Sequence, residues 1–387
     1  MVVVTGLLDR FAEVGDPRRT GWVDHPVAAV LALCAGAVVA GMRSFTAIAG
    51  WVADVPADLL AAVYARCGGD SHRLRARLRA PSKGTIWRVV TGVDAAAVDA
   101  AIGAWLLDRA SENDGENDAA QACVSDGLVA LSVDGKTVRG AKDVEGNQVH
   151  LLAAMTHQQG LVVAQTEVGA KTNEIPMLPV LLDGVDITGM VILADALHTQ
   201  RATATYLNQR GAEFCFCVKE NQPTLFAALD TLPWTATPIA YRQVDRGHGR
   251  ITTRTIQVLP APEDLPFPYV DQVFLIERYI HNLDGTLASA AAALGITSLT
   301  SGRAGGEHLA GLVRHHWGIE SLHWLRDTLY REDHSTIRTR SGPRIMAALR
   351  NLAIGALRLA GRTNITEATR WANRRPDRPF TILGITT

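Results

Sequence analysis

Three acidic residues occupy positions from which carboxylates could act on a phosphate group. Asp134 lies in LSVDGKTVRG and Asp195 in MVILADALHTQ, each at the end of a short apolar run typical of a strand. Glu320 lies in LVRHHWGIESLHWLRD, where apolar residues recur at roughly helical spacing. Two carboxylates on adjacent strands and one on a packing helix can hold a pair of Mg²⁺ ions, or Mn²⁺ in their place, and paired ions promote phosphoryl transfer. These residues therefore form a candidate catalytic and metal-binding set.

Each acid also has a simpler interpretation. Asp followed by Gly, as at Asp134-Gly135, is common in hairpin turns. Asp195 precedes Ala-Leu-His, where a turn or a helix N-cap would also fit. Glu320 alone would be a surface residue of its helix. The spacing of that helix, however, places more polar side chains on the same face, namely His316, His323 and Asp327.

The same face allows a different metal site. Glu320-Ser-Leu-His323 has the Glu-x-x-His spacing of di-iron helical bundles. Such a site needs a second copy of the motif, and no other helical segment of the sequence contains one. The strand-like middle of the chain also argues against a helical bundle.

The overall charge hides a strongly uneven distribution. The formal net charge of the 387 residues is −1, but residues 72–88 hold five Arg and one Lys without an acid. Residues 335–387 hold ten Arg against Glu367 and Asp377. Segregated charge of this kind can form a phosphate-facing surface on a neutral protein, although solvated helix faces would look the same. The first basic segment supplies the candidate DNA contacts Arg73, Arg75, Arg77 and Arg79.

Cysteine usage and hydropathy indicate a cytoplasmic protein without a membrane partner. The five cysteines are odd in number and scattered, which argues against a disulfide framework. Cys215 and Cys217 are separated by one residue, too few for the usual zinc spacing, and are expected in a buried strand. The uncharged run 26–42 is short and rich in Ala and Gly, so it predicts a buried helix rather than a membrane span.

The pattern of periodicity divides the chain into five parts. Residues 1–110 have helical periodicity and form a predicted DNA-binding domain, followed by an acidic linker at 111–124. Residues 125–222 give the order β-β-β-α-β-α-β, which predicts an α/β fold with a mixed sheet and flanking helices. Residues 223–303 alternate like antiparallel strands and form a predicted β-rich insertion. Residues 304–387 return to helix and complete the core.

Several long motifs resemble one known family in the order in which they occur. They are LSVDGKTVRGA, VILADALHTQ, FCVKENQPTL, DRGHGR and HWGIESLHWLRDTLYREDHSTIR, preceded by LLDRFAEVGDPRR and the apolar helices that follow it. These residues resemble the H-repeat-associated (ISAs-type) insertion-sequence transposases of the DDE class, from about residue 6 to the C-terminal LGI. The resemblance implies a ribonuclease-H-like catalytic core and a helical N-terminal domain. It also implies that Asp134, Asp195 and Glu320 form the catalytic triad.

The resemblance also implies a substrate and partners. It indicates a bacterial transposase that binds the terminal inverted repeats of its element as double-stranded DNA. Such an enzyme cuts the ends and joins them to target DNA in a cut-and-paste reaction, with Mg²⁺ as cofactor and with a homodimer bridging the two ends at the nucleoid. A domesticated or inactive DNA-binding relative and a stand-alone metal-dependent nuclease are the alternatives.

Helper residues around the triad depart from the wider group. Many of its members carry Tyr-x2-Arg-x3-Glu-x6-Lys around the third acid, where this sequence has Val313, His316 and Asp327. Arg314, His323 and Arg326 are the candidates to supply the positive charge instead. Further candidate DNA contacts, for which surface solvation is the alternative, are Lys136, Arg139, Lys219, Asn221, Gln222, His248, Arg250 and His316. Trp317 and Trp324 are expected in the core rather than as base-stacking residues.

Overall fold

The computed structural model of the chain describes residues 5–18, 23–67, 79–116, 128–142, 146–169, 172–247 and 249–386. Its N-terminal part is helical, with α1 (Leu7–Ala12), α2 (Val27–Val39), α3 (Phe45–Ala53), α4 (Ala57–Ala65), α5 (Lys83–Val90) and α6 (Ala95–Glu116). Every residue of α2 is buried, which confirms the buried helix predicted for the uncharged run. Helix α6 extends past the predicted domain boundary at residue 110.

One continuous sheet holds nine described strands in the order β3-β2-β1-β4-β5-β9-β8-β7-β6. Strands β1, β2 and β3 pair antiparallel, and β1, β4 and β5 pair parallel. This half has the strand order and directions of a ribonuclease-H-like sheet, so the predicted fold class is confirmed. The bounds are β1 (Ala130–Lys142), β2 (Gln148–Thr156), β3 (Val162–Val168), β4 (Val191–Ala194), β5 (Glu213–Val218), β6 (Tyr241–Gly247), β7 (Arg250–Pro260), β8 (Gln272–Asn282) and β9 (Leu287–Thr297).

The strands of residues 223–303 extend this same sheet beyond β5. Strand β9 pairs antiparallel with β5, and β8, β7 and β6 follow in antiparallel order. The sequence predicts β7, β8 and the end of β9, but not β6 or the alanine-rich first half of β9. Alanine is depleted in strands, so this run carries little local preference for one. Its pairing with β8 from Leu287 to Thr297 determines its conformation.

Helices cover the sheet and join both ends of the chain in one core. They are α7 (Met177–Leu182), α8 (Arg201–Gln209), α9 (Pro223–Asp230), α10 (Gly306–Thr328), α11 (Gly342–Leu359), α12 (Ile365–Asn373) and α13 (Asp377–Ile382). Helix α6 approaches β3 so closely that a Cβ at Gly103 would lie 2.0 Å from the carbonyl oxygen of Val163. Helix α11 packs against both α2 and α6. A single hydrophobic cluster therefore runs from Leu7 to Ile385.

Within the described residues, no single helix has the length and apolar composition needed to cross a membrane. Two bent helix pairs, α3 with α4 and α5 with residues 95–112 of α6, would qualify by length and composition alone.

Candidate active site

The register of β1 and β4 places the two aspartates side by side. Val133 of β1 pairs with Ala194 of β4 in a parallel arrangement, and each is followed directly by its aspartate. Strand β4 ends there, whereas β1 continues to Lys142 and pairs Asp134 with Ala153 of β2. The expectation that Asp134 ends a strand is therefore wrong, and so is the alternative of a hairpin turn at Asp134-Gly135. The sheet opens between β1 and β4 at the level of the aspartates.

Helix α10 lies across this opening and brings the third acid to it. His316 Nδ1 is 3.0 Å from the Ser132 hydroxyl of β1, and His323 Nδ1 is 3.5 Å from Asp134 Oδ2. Glu320 lies between the two histidines on the same helix face and is exposed. His316 and His323 thus contact the strand that carries Asp134, rather than facing solvent as DNA contacts would. Burial lowers the pKa of both imidazoles, to about 3 for His323.

Electrostatic repulsion couples the acids of this site. Burial, together with the negative charges of Glu174, Asp195 and Glu320, raises the pKa of Asp134 to about 6, although a hydrogen bond from the Gly135 amide acts in the opposite direction. Asp195 accepts a hydrogen bond of 2.6 Å from the Ala196 amide, and its Oδ1 lies 3.3 Å from Lys219 Nζ. The site therefore concentrates negative charge that a bound cation would neutralise.

The donor set of the site fits a hard divalent cation. Carboxylate oxygens are the ligands that Mg²⁺ prefers, and it takes only one or two of them while keeping several waters. The described residues contain no group of three His, Cys, Asp or Glu side chains already at metal-binding spacing. The charges of Glu174, Asp195 and Glu320 raise the pKa of Asp134, so these carboxylates lie close enough to Asp134 to repel its charge.

Lys136 connects β1 to α10 instead of standing free for a phosphate. Its side chain is 8% exposed, and its Nζ lies 2.6 Å from Asp327 Oδ2 and 3.7 Å from Asp333 Oδ1. Asp327 occupies the position at which the wider group has a lysine. The ion pair therefore joins the strand of Asp134 to the helix of Glu320, with the basic partner on the strand.

Arg326 is wrong as a DNA contact. Its side chain is fully buried, and its guanidinium lies 2.8 Å from Glu332 Oε2. Arg350 of α11 contacts the other oxygen of Glu332 at 2.6 Å. Burial alone would raise the pKa of Glu332, but the two guanidinium groups outweigh it and hold that pKa well below its usual range. This cluster anchors the C-terminal end of α10.

The remaining candidate contacts differ in their surroundings. Four of the candidate DNA contacts are exposed, namely Arg79, Arg139, Arg250 and Arg314. Arg139 and Arg314 lie 3.6 Å from Asp333 and 3.2 Å from Asp245, respectively. Asn221 donates to the carbonyl of Ala196 beside Asp195, and Gln222 donates to Gln200. Arg73, Arg75, Arg77 and His248 lie outside the described residues.

Both tryptophans of α10 are exposed, so the expectation that they lie in the core is wrong. Trp317 and Trp324 are 57% and 63% exposed and flank Glu320 on the helix. The guanidinium of Arg278 on β8 lies 5.7 Å from the ring centroid of Trp317. The residues that α10 actually buries are Leu309, Leu312, Ile319, Leu322 and Arg326. Trp317 and Trp324 therefore do not lie on the buried face of α10.

Sequence reasoning missed Glu174. It lies between β3 and α7, where neither periodicity nor a motif distinguishes it. Its carboxylate lies 2.7 Å from His150 Nε2 and 3.2 Å from His198 Nε2. Its charge also raises the pKa of Asp134. Glu174 is therefore part of the electrostatic environment of the site.

Several known proteins are similar to this chain. "Putative transposase YncI" of Escherichia coli O157:H7 is 26% identical over 370 residues, covering 92% of this chain and 88% of the relative. "H repeat-associated putative transposase YhhI" of E. coli K12 is 25% identical over 375 residues, covering 91% and 90%. A solved piggyBac transposase synaptic complex with hairpin DNA has a TM-score of 0.40 at 10% identity, covering 96% of this chain and 74% of that one.

Two family profiles match the chain, one in its N-terminal helical part and one in the part that contains the site. Residues 8–106 match the profile described as DDE_Tnp_1-associated. Residues 126–355, more than half of the chain, match the profile described as Transposase DDE domain. The second match includes all three acids of the site. The chain therefore belongs to the family of DNA transposases with a DDE domain.

Proposed function

We propose that the protein is an insertion-sequence transposase that cuts the ends of its element and joins them to target DNA. The observation that carries this proposal is the pairing of Val133 with Ala194, which sets Asp134 and Asp195 side by side. Helix α10, held to β1 by His316, presents Glu320 to the same opening. Asp134, Asp195 and Glu320 are accordingly the proposed catalytic triad and the ligands that would hold Mg²⁺, or Mn²⁺ in its place.

The proposed chemistry consists of two phosphoryl transfers. A bound divalent cation would lower the pKa of the attacking hydroxyl and stabilise negative charge on the phosphate. In the first transfer, the oxygen of water attacks phosphorus at the element's end, and the bond to the 3′ oxygen breaks to leave a free 3′-hydroxyl. In the second, that hydroxyl attacks a target phosphodiester and releases a target 3′-hydroxyl. The triad orients the reacting groups in both steps.

Exposed side chains around the opening would contact the DNA backbone. Lys219 lies beside Asp195, and Arg139 continues along β1 past Asp134. Arg314 lies two turns before Glu320 on α10. Their positive charges complement phosphates and carry no sequence information. Recognition of the terminal inverted repeats would lie with the N-terminal helices and the basic segment 72–88, in a homodimer that bridges both ends at the bacterial nucleoid.

The test uses purified protein, Mg²⁺ and a duplex that carries the DNA flanking the gene. We expect the wild type to cut at the ends and, with target DNA, to form joined product. Asp134→Asn, Asp195→Asn and Glu320→Gln should each lower cleavage by about 10³-fold or more while end binding in EDTA persists. Asp230→Asn, which removes an exposed carboxylate of α9, should cut like the wild type.

Other outcomes would favour the alternatives. Tight end binding without cleavage in Mg²⁺ or Mn²⁺ would indicate a DNA-binding relative that has lost catalysis. Cleavage without joined product would indicate a stand-alone nuclease. Equal cleavage by the wild type and the three triad variants would remove these acids from the mechanism.

A further inference from the structure

Glu174 connects the two halves of the candidate active site through its two carboxylate oxygens. Oε1 lies 2.7 Å from Nε2 of His150, which belongs to β2. Oε2 lies 3.2 Å from Nε2 of His198, in the 3-10 turn Ala196–His198 that begins directly after Asp195. His198 is fully buried, so its position is fixed by packing as well as by this bond. One carboxylate thus joins the neighbour of β1 to the turn that carries Asp195.

The same pair of side chains also touches the main chain next to Asp134. A Cβ at Gly135 would lie 2.4 Å from Glu174 Oε1 and 2.7 Å from His150 Nε2, so any other residue there would force these two side chains to shift. Glycine at this position therefore lets the Glu174–His150 pair pack directly onto β1. The requirement gives the Asp-Gly sequence a reason other than a turn.

The hydrogen bonds define which nitrogen of each imidazole carries the proton. Glu174 can accept at both oxygens only if the Nε2 atoms of His150 and His198 both donate. In the neutral imidazole of His150, Nδ1, which is 2.8 Å from the Thr137 hydroxyl, then accepts from that hydroxyl. Within the described part of the chain, His198 Nδ1 is buried without a hydrogen-bond partner. A proton on Nδ1 would therefore be a buried donor without an acceptor, which is costly.

We propose that Glu174 is a positioning residue that holds Asp134 and Asp195 in register by bonding His150 on one side and His198 on the other. This inference rests on the function proposed above. Both oxygens of Glu174 are engaged by imidazoles, so it acts through the two aspartates rather than by contact with substrate. Burial raises the pKa of Glu174, but the two histidine bonds outweigh it and lower that pKa to about 2, which keeps the acceptor ionised.

The tautomer requirement predicts how substitutions behave. In Glu174→Gln, the amide oxygen can still accept from His198, while the amide nitrogen must donate to Nε2 of His150. The proton of His150 then moves to Nδ1, which can donate to the Thr137 hydroxyl. Thr137→Val removes that acceptor. The double variant should therefore lose more than the two single variants together.

The experiment measures metal binding and cleavage separately on the full chain. We expect Glu174→Ala to weaken Mn²⁺ binding, followed by EPR without DNA, by about 10- to 100-fold. Glu174→Gln should weaken it by less than about 10-fold, and Glu174→Gln with Thr137→Val should approach the alanine variant. Glu167→Gln, on the exposed face of β3, is the matched control and should bind Mn²⁺ like the wild type.

A spectroscopic readout separates positioning from mere structural support. In ¹⁵N NMR, the His150 proton should move from Nε2 in the wild type to Nδ1 in Glu174→Gln, while His198 keeps its proton on Nε2. Unchanged Mn²⁺ affinity in Glu174→Ala, or an unmoved His150 proton in Glu174→Gln, would overturn the inference. A wild type that binds Mn²⁺ through Asp134 but does not cut DNA would instead overturn the proposed function and leave this inference standing.

Discussion

Helix α10 contacts acidic residues in two places, and their electrostatic surroundings differ. In one place arginines surround the acid, and in the other the acids lie next to further acids. At its C-terminal end, Glu332 is buried between Arg326 and Arg350, which hold its pKa well below the usual range. Along the face of α10, Glu320 lies near Asp134. Burial and the neighbouring acids raise the pKa of Asp134 to about 6. The negative charge of Glu332 is compensated by arginines inside the protein, whereas the negative charges around Asp134 are not compensated in this way.

This difference separates what stabilises the helix from what the helix presents. A buried carboxylate between two guanidinium groups fixes the end of α10 and leaves no negative charge to attract a cation. Carboxylates that repel one another cost folding free energy but form a ready site for cations. The same helix is therefore stabilised at one end and held under electrostatic strain along its functional face.

The largest expected effect breaks the compensated group. Glu332→Gln leaves Arg326 and Arg350 buried without a counter-charge, so we expect it to lower the free energy of unfolding by about 3–5 kcal/mol. Urea denaturation at pH 7 measures this loss. Asp377→Asn, which removes the partner of Arg375 in an exposed pair, is the matched control and should cost at most about 1 kcal/mol. Similar losses in the two variants would mean that burial does not distinguish them.

A smaller effect of opposite sign is expected at the uncompensated group. The folded-state pKa of Asp134 lies about two units above the usual value of 3.8, so ionisation of Asp134 destabilises the fold as pH rises through this range. Asp134→Asn should therefore raise the free energy of unfolding at pH 7 by about 1–3 kcal/mol in the absence of metal. The gain should vanish below about pH 3, where Asp134 is neutral in both the folded and the unfolded chain. A destabilised variant at pH 7 would contradict the raised pKa.

The two groups should also respond differently to acid. The contribution of Glu332 is present above the ordinary carboxyl pKa and is lost as the pH falls below about 4. The cost at Asp134 is relieved between pH 6 and 4. A comparison of denaturation curves for the wild type and the two variants across this range shows both slopes.

The smallest effect on stability is expected at the exposed tryptophans of α10. Trp324→Ala should change the free energy of unfolding by about 0.5 kcal/mol or less, because the side chain is 63% exposed. If its ring stacks on a base, the variant should weaken binding of DNA ends by about 1–3 kcal/mol, measured by fluorescence anisotropy. Val180→Ala, an exposed apolar residue of α7, should leave binding unchanged. Unchanged DNA affinity in Trp324→Ala would exclude stacking.

The sequence predicts the strands that lead to Asp134 and Asp195, but it does not predict how far β1 continues beyond Asp134. Apolar runs before Asp134 and Asp195 identify strands, and parallel pairing of those strands follows from the alternation of strands and helices. The length of β1 beyond Asp134 is not visible, because DGKTVRG carries turn residues and charges. Its pairing with β2 decides that conformation.

Other parts depend on contacts between distant residues. Arg326 has the spacing of a surface residue, but the chain reverses at Arg331, which has a φ of 49°, and brings Glu332 back to it. Glu174 contacts His150 where Gly135 leaves room for the pair. No local periodicity reports either contact, so sequence patterns could not have placed these residues.

Helix α2 has a consequence for shortened copies of the gene. All its faces are apolar and buried, and α11 and α13 from the last fifth of the chain cover part of it. A frameshift before Gly342 would leave that part of the helix uncovered, and exposed apolar surface of that kind leads to aggregation and proteolysis. Chains shortened in this way should therefore aggregate or be degraded rather than accumulate as folded protein.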